Sequence, residues 1–171
     1  MAARLIMNRV TFCALTVALS ALGACTDTKP AMTPDGKVVV TLRDKVFNMD
    51  LADDRDEQQK GLGGVKEIKP NEGMLFVFPG ATERFFVMRD CVIPIDIAYL
   101  DETKRIVSMH TMQPEEPRRD DEAEGNYEAR LKRYPSRYPA RYVLEFRAGT
   151  LEALGVSNGD EVRFEVPASS R

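Results

Sequence analysis

The sequence predicts a small α+β domain, predominantly β, folded as a bent antiparallel sheet or a partly closed barrel with two or three short helices. Seven or eight apolar runs of strand length follow one another between turn signals. Only two or three short stretches combine helix formers with a start or stop signal. The chain has 171 residues, 43% hydrophobic and 30% charged, which suits one core and leaves too little for a second domain.

The first residues stand apart from that core. Arg4 and Arg9 flank an apolar run from Val10 to Leu22 that closes on Leu22-Gly23-Ala24-Cys25. The run is shorter than the roughly 20 residues a membrane-spanning helix needs, and small residues precede the cysteine where a peptidase cuts. Leu-Gly-Ala-Cys resembles the lipobox of bacterial lipoproteins. That resemblance implies a signal peptide over residues 1–24 and an acylated Cys25 as the mature first residue, holding the domain at a membrane without a spanning segment. Cleavage before Cys25 removes 24 residues, Arg4 and Arg9 among them and no acid, leaving 147 residues and moving the formal charge from −3 to −5. An exported acidic chain is a poor partner for nucleic acid, whose phosphates are neutralised by Lys and Arg. Cys13 leaves with the signal and Cys25 carries lipid, so Cys91 has no disulfide partner and stability must come from packing.

Residues 25–36 are polar, with two prolines and no apolar periodicity, and read as a flexible tether. The domain is expected over residues 37–167. KVVVTLRDKVFNMDLAD gives a β-hairpin turning around Asp44-Lys45. Asp54 with Glu57 three residues on resembles a capping box, so a short helix follows and stops at Gly61, Gly63 and Gly64. Gly73 to Phe78, Phe85 to Met88, Ile95 to Leu100 and Ile106 to Met112 are strand candidates, the last two joined by the turn DETK. Gln113 to Asn126 holds six acids and two prolines and reads as a solvated loop. Tyr142 to Phe146 is a strand, AGTLEALG a short helix ending at Gly155, and Glu161 to Val166 a last alternating strand.

GMLFVF, FFVMRDCVIPIDIAYLD and YPARYVLEFRAGTLEALGVSNGDEV together resemble the domain of unknown function 192 family over roughly Lys37 to Val166. Gly73, Met74, Leu75 and Phe76 match its first motif. Phe86, Met88, Arg89, Ile93, Pro94, Ile95 and Asp96 match the second, Leu144, Glu145 and Gly149 the third, Gly159 and Asp160 the fourth. The resemblance implies a compact, largely β domain, often exported in bacteria, and no established activity. The chain departs from the pattern in three places: Val87 replaces a tryptophan, Asp90-Cys91 replaces asparagine-threonine, and Gly63-Gly64 stands where members usually continue Gly-Leu with methionine.

The stretch FFVMRDCVIPIDIAYL sets polar residues and a proline inside an apolar run, and it supplies the candidate site: Arg89, Asp90, Cys91, Asp96 and, from the next strand, His110. Cys91 and His110 are the thiol and imidazole of the expected domain, and a hairpin through DETK brings His110 near Cys91, with Asp90 or Asp96 to orient the ring. Against catalysis, the local sequence matches no cysteine-hydrolase signature. Asp96 lies among apolar neighbours. Alternation puts Ile95, Ile97 and Tyr99 on one face and Asp96, Ala98 and Leu100 on the other, so its carboxylate wants a partner: an arginine, Arg89 being the natural one, or loop amides that it ties down, or else a ligand or metal. One His and one free Cys make no zinc site, and Asp90, Asp96 and Asp160 lack the spacing of an oxygen-ligand loop, so neither metal nor cofactor is expected. Tyr127 to Tyr142 interleaves four tyrosines with five basic residues. Such a stretch offers an anionic glycan or lipid head group a surface, or else buries its tyrosines and pairs its arginines with the acidic loop.

The function expected from these features is a lipid-anchored, non-catalytic binding or accessory module of the cell envelope, partnered by the membrane and by an anionic glycan or an envelope protein. A hydrolase or transferase with a pocket around Asp96, Arg89, Cys91 and His110 is the alternative.

Overall fold

A computed structural model of the chain describes residues 32–167. The expected signal peptide, Cys25 and most of the tether lie outside the described residues. The end of that tether is folded: Met32 bridges to Val38, and a turn from Thr33 to Lys37 is closed by the Thr33 hydroxyl, which accepts the Lys37 N–H at 2.9 Å.

The hairpin forms as β1 (Val38–Leu42) and β2 (Lys45–Ala52), turning through Arg43 and Asp44. Helix α1 (Arg55–Lys60) starts where Asp54 accepts the Glu57 N–H at 2.8 Å, while Glu57 reaches back to the Asp53 N–H at 3.3 Å. This is the reciprocal cap the sequence foretells, with its second half shifted by one residue. The chain then returns as β3 (Glu72–Thr82), which pairs parallel with β2 because the helix has carried it back along the sheet. After the short β4 (Phe85–Phe86), β5 (Ile95–Leu100) and β6 (Ile106–Met112) form the expected hairpin. Helix α2 (Glu124–Arg130), β7 (Tyr134–Pro135), β8 (Ala140–Arg147), α3 (Thr150–Ala153) and β9 (Val162–Arg163) complete the order.

Seven strands make one sheet in the order β6-β5-β8-β3-β2-β1-β9, while β4 and β7 pair separately. Every neighbouring pair in the large sheet except β2 and β3 is antiparallel. The sheet curls until its edges meet. Arg105, just before β6, bridges Glu161, just before β9, and the Val162 N–H donates to the Lys104 carbonyl at 2.9 Å. The result is the partly closed barrel expected from many short strands.

Alternation along the strands splits the core in two. Val38, Val40, Leu42, Leu75, Leu144 and Phe146 pack with Ile106 and Val162 from the two edge strands, so this cluster fills the inside of the curl. Phe76, Ile95, Ile97, Tyr99 and Val143 point outward and are roofed by Leu62, Ile68, Met88 and Tyr134 from the connecting segments. Asp96, Ala98 and Leu100 share the inner face, as the alternation of IDIAYL requires.

Three expected elements differ. Phe85 to Met88 is no core strand: only Phe85 and Phe86 pair, with β7, because Phe86 is a roof residue lying edge-on against Phe76 and Tyr99. The last strand is cut to Val162–Arg163, although Phe164 and Val166 still reach the inner core. The acidic loop ends sooner than Asn126, since α2 begins at Glu124 and buries Tyr127.

Candidate functional site

Asp96 is 1% exposed and bound on both oxygens. Thr111 Oγ1 donates to its Oδ1 at 2.8 Å, and the Leu151 N–H donates to Oδ2 at 3.0 Å. Leu151 lies in the first turn of α3, whose N-cap is Gly149 at φ 84. A glycine has no side chain to cap with, so a carboxylate from the inner face of the sheet takes that place. The expected Asp96–Arg89 pair does not form. Arg89 lies on the outer side of the sheet and meets Glu128 at 2.6 Å instead.

Asp90 sits at the bend with φ 54, and Tyr127 holds it there: the Asp90 N–H donates to the tyrosine oxygen at 3.1 Å, and the hydroxyl donates to Asp90 Oδ1 at 3.3 Å. His110 is committed elsewhere. Its Nε2 lies 2.8 Å from the Pro135 carbonyl, which can only accept, so Nε2 carries the proton, and its ring packs edge-on between Tyr99 and Tyr134. Cys91, on the outer side, is separated from Asp96 by the sheet. The five residues singled out by sequence therefore do not converge.

A different residue marks the outer face. Glu145 of β8 stands in register with Met74 of β3 on one side and Ile97 of β5 on the other, on the same face as Val143. It is 4% exposed, and its Oε2 is buried without a hydrogen-bond partner. Above it opens a cleft of about 380 Å³. Gln58 to Leu62 form one wall, Glu83 to Val87 the other, and Phe76, Phe78, Cys91 and Glu145 close the bottom. Val87, where the family pattern implies tryptophan, lines this cleft, so the smaller side chain leaves room in it. The other two departures meet beside it, the Gly64 N–H donating to the Asp90 carbonyl at 2.9 Å.

Burial pushes the Glu145 carboxyl up to about 8 from an ordinary 4.5. Among the described residues no cation pairs with it, so the group is a neutral acid around pH 7 and offers an O–H as well as acceptor oxygens. Burial likewise pushes the Cys91 thiol up to about 12, with the charges of Glu145 and Asp90 adding to it. A thiol held that high is no nucleophile at neutral pH. Tyr99 is raised too, chiefly by burial.

At the mouth, Arg84 donates from Nε to the Ala140 carbonyl at 2.8 Å and from Nη2 to the Gly80 carbonyl at 2.7 Å, while its guanidinium lies 3.6 Å from the Phe78 ring centre. Burial lowers its pKa, yet a guanidinium stays charged. Among the described residues Arg84 forms no ion pair, and its Nη1 makes no hydrogen bond. Also among them, no group of three or more His, Cys, Asp and Glu is placed to hold a metal ion.

Sequence reasoning passed over Glu145 although YVLEF carries the same signal as IDIAYL, one carboxylate among apolar strand residues. The basic, tyrosine-rich stretch resolves mostly into packing. Tyr127, Tyr134 and Tyr142 are buried, Tyr138 alone of the four is 58% exposed, and Arg130 is bidentate to Glu122 of the acidic loop at 2.8 and 3.0 Å.

The family model of DUF192, described as Uncharacterized ACR, matches residues 38–164. Two crystal structures resemble the fold. One is a protein of unknown function from Novosphingobium aromaticivorans, at 29% identity and a TM-score of 0.65, covering 81% of this chain and 94% of that one. The other is a Sinorhizobium meliloti protein proposed to be a transcription regulator, at 26% identity and a TM-score of 0.57, covering 77% and 88%. A comparison with curated proteins returns no match.

Proposed function

We propose that this chain, which belongs to the domain of unknown function 192 family, is a non-catalytic binding module of the cell envelope, held there by lipid on Cys25, with the cleft over Glu145 as its binding site. The observation that carries the site is the buried, unpartnered Glu145 oxygen at the bottom of an apolar cleft. An uncompensated polar atom in such a place costs stability, and a ligand group that hydrogen-bonds to it recovers that cost.

Three features speak against the enzymatic alternative. Asp96 is spent on capping α3 from the inner face, His110 on a backbone carbonyl, and the Cys91 thiol is held far from ionisation. The anchor rests on Arg4, Arg9 and the Leu22-Gly23-Ala24-Cys25 box, and it implies an exported domain on the cell membrane or the outer membrane. An envelope protein or an anionic glycan is the partner this placement favours.

Two measurements test the reading. Mass spectrometry of the N-terminal peptide from membranes is expected to find acylated Cys25, and Cys25→Ala is expected to release the domain. A panel of water-soluble fragments, followed by methyl and aromatic NMR of the protein, is expected to shift resonances around Phe76, Phe86 and Glu145. Turnover of an envelope substrate, or a panel that leaves the cleft silent, would sink it.

A further inference from the structure

We propose that the cleft takes a small organic anion with a flat apolar body and a carbonyl-type acceptor at its far end, the anionic group on Arg84 and the acceptor against the Glu145 carboxyl. This deepens the reading of the cleft as a binding site and rests on it.

The mouth sets the sign of the charge. Arg84 is fixed by two backbone carbonyls and stacked on Phe78, so its guanidinium is preorganised, and Nη1 is left for a ligand. The other cations there are Lys60, which pairs with nothing among the described residues, and Arg89, which is neutralised by Glu128. One acid, Glu83, faces them. A cationic ligand would have to pass this mouth.

The aromatic rings set the body. Phe76 and Phe86 stand edge to face with ring centres 5.0 Å apart, and Phe78 adds a third ring. About 380 Å³ is near the lower end of the roughly 300–1,000 Å³ of small-molecule sites, which suits one ring and its substituents.

The bottom sets the far end. Glu145 has a buried oxygen without a hydrogen-bond partner, and among the described residues no Lys or Arg forms an ion pair with it. A neutral carboxyl there donates its O–H to an acceptor, whereas its carboxylate would repel an anion. The titratable and charged groups around it are Cys91 from the bend, Tyr99 from β5, Lys60 from α1, and Glu83, Arg84 and Arg89 from the connections flanking β4. Cys91 and Tyr99 hold their protons well above the range in which Glu145 gives up its own.

The test uses three probes on the same ring, 4-acetylbenzoate, 4-acetylbenzamide and 4-acetylbenzylamine, titrated against the full-length protein by NMR. The anion is expected to bind roughly tenfold more tightly than the amide, and the amine not at all. Arg84→Gln should erase the preference for the anion. Glu145→Gln keeps an N–H donor and should hold affinity within about threefold near pH 6.5. Wild-type affinity for the anion should fall as pH rises from about 6.5 to about 9 and stay flat in Glu145→Gln. Should Arg84→Gln fail to fold, the wild-type pH profile and the three-probe ranking decide alone. An amide or amine that binds as tightly as the anion, or a wild-type profile without pH dependence, overturns the proposal. If other fragments occupy the cleft but none of these three does, the anion fails and the binding site stands. If no fragment occupies it, both fall.

Discussion

The Oδ2 atom of Asp96 accepts the Leu151 N–H at 3.0 Å, so a carboxylate in mid-strand caps a helix fifty-five residues further on. Asp96→Ala strands that buried N–H, while the Thr111 hydroxyl, on an exposed residue, turns to water, with an expected cost of about 1–3 kcal/mol. Asp96→Asn keeps one acceptor oxygen and should cost less. Urea unfolding of the two variants checks the order, and an unchanged midpoint for Asp96→Ala would show that the cap contributes nothing.

Glu145 makes stability depend on pH in the direction opposite to an ion-paired acid. Its carboxyl binds a proton up to about pH 8 in the folded chain and up to its ordinary 4.5 in the unfolded one. Between those values the folded state keeps the proton on this group, so its contribution to stability is greatest below about 4.5 and declines until about 8. A gap of about 3.5 at about 1.4 kcal/mol each bounds the loss at roughly 5 kcal/mol. The decline should vanish in Glu145→Gln, while Glu145→Leu should be more stable than wild type near pH 8. Thermal unfolding across pH reads both, and parallel curves for wild type and Glu145→Gln would contradict the assignment.

Cys91 should be slow to alkylate. With the thiol held near 12, iodoacetamide at pH 8 is expected to modify the folded chain at least about a hundredfold more slowly than the urea-unfolded chain. Rapid labelling of the folded protein would revive the thiol as a working group.

Gly73 is fixed by proximity. A Cβ there would lie 2.2 Å from the Glu145 carbonyl oxygen and 2.9 Å from Met49 Cε. The oxygen belongs to the β3–β8 ladder and cannot retreat, so Gly73→Ala is expected to cost about 3 kcal/mol or more and to disturb the cleft through Glu145 itself. Denaturant melts together with the Glu145 NMR signals would register both effects.

Local patterns carried most of the fold. The alternation in IDIAYL placed Asp96 on its correct face, and Asp54 with Glu57 marked the start of α1, because both signals act within a few residues. The partner of Asp96 left no such trace. A backbone N–H fifty-five residues away is present in any sequence but proline, and only the curl of the sheet brings it near. Arg89 looked like the partner on charge alone, yet the sheet separates them and Glu128 lies closer. Glu145 and Asp96 carry identical local signals. What distinguishes them is that packing fills one face of the sheet at its carboxylate and leaves the other open, and that depends on how residues 58–62 and 83–87 cross over β8.

The sheet's seam lies between β6 and β9. β1 pairs on its outer side with β9, and the loop entering β9 also fastens the start of β6. A chain that emerges from its N-terminus first can form the opening hairpin early, but it cannot complete either edge until Glu161 to Arg163 arrive. Loops that close over more than a hundred residues are slow to form, so the barrel stays open through most of synthesis and finishes in one late step. Under the export proposed above, the last strand would act as the timer that holds the domain open until the chain has crossed the membrane.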